Sequence, residues 1–203
     1  MGPDLERLLT AFGELIDVST LGIKKIFLRS VLPPGKSAKV SRQTESALAR
    51  KGEQEICKEF LSLGVDPTAV LTSVTHSQLW VLVVGFAPKT SVQSMIEKIG
   101  VDMELSSRKI TDRLCERFVH TCEKQFPLQP IDFWVIKEAC FKADTGYKSK
   151  LVTHYQIGEF SVESGLGVAE NTKNQNKLHF CFLRSEGWSV AFALRKTIPQ
   201  NQD

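Results

Sequence analysis

Two short stretches of this 203-residue chain combine residue types that could do chemistry. The first is Gly100-Val101-Asp102-Met103-Glu104. On a strand, Asp102 and Glu104 at i and i+2 face one side, while Val101 and Met103 face the other. Two carboxylates on one face can hold a hard cation such as Mg²⁺ through oxygen, leaving coordination positions for water and a phosphate. The same pair also suits ordinary surface acids at the end of a strand. The second stretch is Trp134-Val135-Ile136-Lys137-Glu138-Ala139-Cys140-Phe141-Lys142. On a helix, Phe133, Ile136, Cys140 and Ala143 form a buried stripe, and Glu138 and Lys142 are i, i+4 neighbours on another face. Lys137 lies ~100° round from Glu138, so its stem must bend to reach the same place. An isolated exposed Glu–Lys pair contributes only ~0.3–0.5 kcal/mol. An acid flanked by two lysines, with a D-x-E upstream, makes a place for metal and phosphate together. His76, in Val74-Thr75-His76-Ser77, precedes the most apolar segment of the chain and is either a phosphate contact or a structural histidine. His120, His154 and His179 show no ligand spacing.

The net charge of +3 is unevenly spread. Between Lys24 and Lys51 stand eight basic residues, among them Arg42, Arg50 and Lys51, against the single acid Glu45: a local charge of +7, leaving −4 for the rest. Such a block suggests an anionic partner, or simply a solvated face. Its one aromatic, Phe27, offers no stacking platform, which argues against nucleic acid. The five cysteines, Cys57, Cys115, Cys122, Cys140 and Cys181, are odd in number and never spaced C-x-x-C. They read as reduced thiols of a cytoplasmic protein, mostly small core hydrophobes, and exclude a metal held through sulfur. No run reaches the ~18 apolar residues of a membrane span, and neither a secretory signal nor a myristoylation pattern is expected at the N-terminus.

The elements that must position these residues follow from periodicity and breakers. A short amphipathic helix is expected over 5–16 and a strand over 22–32, ended by Pro33-Pro34-Gly35. Ser41 could cap a helix to about Leu63, with Ala49, Ile56, Phe60 and Leu63 on one stripe and Gly64 as its stop. Strands are expected over 71–77, 79–86 and 96–104, and helices over 112–125 and 132–143. Leu114, Phe118 and Cys122 form the stripe of the first of these helices. The alternating segments 151–160, 177–185 and 187–195 read as strands, the last two joined by a tight turn, and the tail from Pro199 is expected to fray. This order fits an α+β fold with antiparallel hairpins. The stretch from His76 to Val83 faintly echoes that from Arg184 to Ala191, each a polar turn leading into a Trp-led apolar strand, which by itself amounts to no repeat.

Together, in order, these pieces resemble the 4′-phosphopantetheinyl transferases. Gly100-Val101-Asp102-Met103-Glu104 resembles that family's G-V-D-x-E motif, and Trp134 to Lys142 matches W-x-x-K-E-A-x-x-K throughout. The spacing of 34 residues from Glu104 to Glu138, and Arg117-Phe118 followed by Glu123, also suit the family. Thr75-His76-Ser77 is similar to its S-H-S signature, with Thr in place of the first Ser. The likeness covers about residues 70–145, and the first 40 residues carry none of it.

The resemblance implies transfer of the phosphopantetheine arm of coenzyme A to a serine of an apo acyl or peptidyl carrier protein, as in fatty acid biosynthesis, with release of adenosine 3′,5′-bisphosphate. It implies the larger, surfactin-synthetase-activating architecture: a monomer of two similar α+β halves, residues 1–96 and 97–203, forming a pseudo-dimer with the site between them. By match, Asp102, Glu104 and Glu138 are the Mg²⁺ ligands, Glu138 and Lys142 act in catalysis, and Lys137 and Lys142 contact the pyrophosphate. His76, with Arg42, Arg50 and Lys51, would hold the coenzyme's 3′-phosphate. A Mg²⁺-dependent nuclease also clusters acids with a lysine, but its usual E-x-K follows an Asp on a strand, whereas Lys137 here precedes its acid on a helix. A non-catalytic module that binds coenzyme A or a carrier protein is the other alternative.

Overall fold

The computed structural model describes residues 24–30, 42–77, 80–87, 96–144, 151–185 and 187–196, excepting the side chains of 24–30 and 42–44. The expected helix over 5–16, the Ser41 cap and the C-terminal tail lie outside these residues. Among the described residues the fold is mixed α+β with two antiparallel sheets. Strands β1 (Lys24–Ser30), β2 (Leu71–Ser77) and β3 (Trp80–Phe86) form the first, in the order β1-β3-β2. Strands β4 (Ile96–Leu105), β5 (Tyr155–Phe160), β6 (Leu166–Asn171), β7 (Lys177–Ser185) and β8 (Trp188–Lys196) form the second, in the order β4-β8-β7-β6-β5.

Apolar patterning sets the layers. β3 is apolar on both faces, and both are covered. Its Val81 and Val83 pack under helix α1 (Arg42–Ser62) against Ile56 and Phe60. Its Leu82, Val84 and Phe86 share a core with Ile99, Val101 and Met103 of β4 and Val190, Phe192 and Leu194 of β8. The other face of the second sheet carries helix α3 (Pro130–Ala143), whose Val135, Ile136, Ala139, Cys140 and Ala143 are buried. The succession is therefore helix, sheet, sheet, helix. Each fully buried aliphatic or aromatic side chain contributes ~1.5–3 kcal/mol relative to exposure, so the shared core is what fixes the two sheets against one another.

α1 ends in a Schellman motif: Gly64 takes φ +79°, its N–H donates to Leu61 O, and Val65 N–H donates to Phe60 O. Leu63, expected on the buried stripe, is instead 55% exposed because the chain has already turned there. The helix expected over 112–125 is two pieces: α2 (Asp112–Phe118) and a 3-10 helix, Thr121–Gln125. The break falls at Val119, whose backbone is extended, and it leaves Cys122 exposed rather than in the core. Residues 152–154 form a 3-10 turn before β5, and β6 has no counterpart in the elements read from the sequence.

The same order recurs in the two sheets. β1, α1, β2 and β3 pair as β1-β3-β2, and β4, α3, β7 and β8 pair as β4-β8-β7. The echoing segments fall at equivalent hairpins, with Ser77 opposite Trp80 and Ser185 opposite Trp188. The two tryptophans meet edge to face, with ring centroids 6.5 Å apart. Among the described residues no helix is long and apolar enough to cross a membrane.

Candidate functional site

Strand β4 is the edge of the second sheet and β2 the edge of the first. Alternation sends Ile99, Val101 and Met103 into the core between the sheets, and Gly100, Asp102 and Glu104 toward α3. Gly100 makes that arrangement possible. A Cβ there would lie 2.1 Å from Ala139 O and 2.7 Å from Ala143 N, so only glycine lets the helix sit this close to the strand. Ala193, opposite Gly100, and Ala191, opposite Asp102, keep the same strip of sheet low.

This close packing carries the second motif onto the first. Lys142 Nζ donates to Val101 O and to Asp102 Oδ1, each at 2.8 Å. Asp102 is 7% exposed, and its Oδ1 also accepts from Thr75 Oγ1 at 2.8 Å. Glu104 accepts from Ser77 Oγ at 2.7 Å on one oxygen and from the Arg108 guanidinium on the other. Arg108 reaches it because the turn after β4, in which Arg108 N–H donates to Leu105 O, folds the chain back. Glu138 makes no hydrogen bond or ion pair among the described residues.

The carboxylates crowd one another electrostatically. Burial raises the proton affinity of Glu138, and the charges of Asp102 and then Glu104 raise it further, against the pull of Lys142 and Arg108. Burial likewise raises that of Glu104, with Asp102 adding to it, while Ser77 and Arg108 oppose the rise. Asp102, Glu104, Glu138 and Lys142 thus form one electrostatic unit. Among the described residues no three acids, histidines or cysteines stand as a ready-made metal shell; Lys142 and Arg108 occupy oxygens of Asp102 and Glu104 instead.

Lys137 does not join this unit. Its stem runs into the core, where Nζ is fully buried and donates to Phe118 O at 2.5 Å and to Glu123 Oε2 at 2.7 Å. Glu123, equally buried, also accepts from the N–H groups of His120 and Ile157, at 2.6 Å each. The expected contact of Lys137 with a pyrophosphate is therefore replaced by a buried ion pair: a ~100° turn of helix points it to the α2 side. Desolvation lowers its proton affinity, and Glu123 counters that.

His76 lies on the face of β2 opposite Thr75 and Ser77, with Nε2 3.5 Å from Glu45 Oε2 on α1. With Glu45, Ser46 and Ala49 it borders a cavity of about 380 Å³. Arg50 and Lys51 are exposed on α1, and Arg42 opens that helix, its side chain outside those described. The structure thus brings together Asp102, Glu104, Glu138 and Lys142, and sets His76 with α1 on the other side of β2. Ser73 and Arg108 went unassigned in the sequence, where the alternation of hydroxyls at 73, 75 and 77 is the one signal for Ser73, and the pairing of Lys137 with Glu123 was not read from it. The chain matches no family model and no curated protein sequence.

Proposed function

We propose that this chain is a 4′-phosphopantetheinyl transferase, moving the phosphopantetheine arm of coenzyme A to a serine of an apo acyl or peptidyl carrier protein with Mg²⁺, and releasing adenosine 3′,5′-bisphosphate. The observation that carries this reading is the bond from Lys142 to Asp102, which joins two motifs 40 residues apart at a site of crowded carboxylates. The matching strand pairings β1-β3-β2 and β4-β8-β7, each with a helix between its first strand and its closing hairpin, and the Trp80–Trp188 contact support two similar halves in a pseudo-dimer, with the carboxylates at their seam.

Asp102, Glu104 and Glu138 would hold the metal. They are oxygen donors only, as a hard cation requires; burial first, and the neighbouring carboxylate charge after it, raise the proton affinities of Glu104 and Glu138, and a divalent charge would favour their ionised forms. Mg²⁺ bound by these residues would supply charge neutralisation for the substrate's phosphates. Lys142 spends two of its three N–H donors on Val101 and Asp102; the third, on a partly exposed ammonium, is free to meet a phosphate oxygen as charge develops during transfer. The carrier serine oxygen attacks the β-phosphorus, the bond to the bisphosphate breaks, and the hydroxyl proton goes to Glu138 or to a water held by these carboxylates. His76, with Arg42, Arg50 and Lys51, takes the 3′-phosphate beside α1.

The test is the intact mass of an apo carrier protein after incubation with this chain, coenzyme A and Mg²⁺. A gain of one phosphopantetheine is expected. An unchanged carrier together with nicked nucleic acid would make the chain a nuclease, and coenzyme binding without mass gain would make it a passive binder.

A further inference from the structure

Thr75 and Ser77 belong to the first sheet, yet their hydroxyls end on carboxylates of the second. Both are nearly closed to solvent, at 3% and 5% exposure, so neither hydroxyl is solvated in place of its bond. Ser73, two residues earlier at 8% exposure, makes the third bond of the row, accepting from Val101 N–H at 3.0 Å. A row of hydroxyls at i, i+2 and i+4 thus fastens the edge of one sheet to the edge of the other, and two of its three members act on acids.

We infer that Thr75 and Ser77 are positioning residues for a divalent cation: each hydroxyl holds one carboxylate, Asp102 or Glu104, in the orientation from which it would ligate the metal. This rests on the metal reading given above. Without the hydroxyls, Asp102 would be held by Lys142 alone, a point charge on a flexible stem, and Glu104 by Arg108 alone, whose side chain is exposed to solvent. The bond also explains why a Thr can stand at position 75, since either hydroxyl residue donates equally well. The first sheet then contributes to the metal centre although it supplies none of the ligands, and the centre is complete only when the two edges are docked.

The experiment counts free Mn²⁺ by its electron paramagnetic resonance signal as the full chain is titrated with Mn²⁺ alone. Loss of a partner that orients a ligand weakens metal affinity ~10–100-fold, which is the expectation for both Thr75→Val and Ser77→Ala. Thr75→Ser keeps a donor and should bind as the parent does. Ser73→Ala loosens the same seam without touching a carboxylate and should lower the melting temperature while leaving Mn²⁺ affinity in place. Parent-like affinity in Thr75→Val and Ser77→Ala, or an equal loss in Ser73→Ala, would overturn the inference and leave the metal site standing. A parent chain that takes up no Mn²⁺ would overturn the metal reading itself.

Discussion

Replacing Lys137 with methionine keeps most of the stem's volume and removes only the charge and its donors. Two bonds go with it, to Phe118 O and Glu123 Oε2, and Glu123 loses its counter-charge where its side chain has 0% exposure. Breaking a buried pair from one side costs ~3–5 kcal/mol, a large part of the ~5–15 kcal/mol that holds a domain folded. For a chain of this size each kcal/mol moves the melting temperature by ~2–4 °C, so a fall of roughly 6–20 °C is expected. Adding Glu123→Gln should recover much of the loss, since the amide oxygen still accepts from Ile157 or His120 and no charge is stranded. The double-mutant cycle then measures the coupling of the pair. The assays are thermal and urea unfolding followed by circular dichroism, with carrier modification measured well below the transition. A Lys137→Met variant that melts like the parent yet fails to modify the carrier would refute the reasoning, because Lys137 would then be meeting phosphate rather than Glu123.

Glu138→Gln tests the crowded carboxylates without added metal. Because burial and then Asp102 raise the Glu138 proton affinity in the folded chain, the native state holds a proton more tightly than the unfolded state. Stability is therefore lost as pH rises from the ordinary glutamate value through the folded one, and the penalty is complete above it. The variant should be more stable than the parent near pH 7, lose that gain near pH 4, and be inactive; a destabilised variant at pH 7 would remove the argument from burial and repulsion. His76→Ala should weaken coenzyme A about tenfold or more and barely change dephospho-coenzyme A, which lacks the 3′-phosphate, as measured by calorimetry. Equal loss for both ligands, with a lower melting temperature, would make His76 structural through its contact with Glu45.

The elements around the site were legible where local signals agreed. Gly64 stopped α1 because a left-handed residue is needed there, and the alternation of 100–104 put Asp102 and Glu104 on one side and Val101 and Met103 on the other. The helix expected over 112–125 failed because its stripe said nothing of a buried partner. Glu123 is drawn inward by Lys137 and by the Ile157 N–H, 34 residues further on, and the extended Val119 lets it turn.

By itself the sequence determined the chemistry on offer: three acids and two lysines in two motifs, their strand and helix, and a basic segment upstream. Periodicity and residue type act over a few residues, and that is how far they reach. Only the tertiary structure decided that Lys142 meets Asp102 while Lys137 does not, since one turn of α3 can press a single face onto β4 and Gly100 chooses which. It also decided that hydroxyls of the first sheet hold acids of the second, and that His76 faces α1. Those outcomes depend on how two sheet edges dock, and docking is settled by the shared apolar core, in which residues from distant parts of the chain pack together at once.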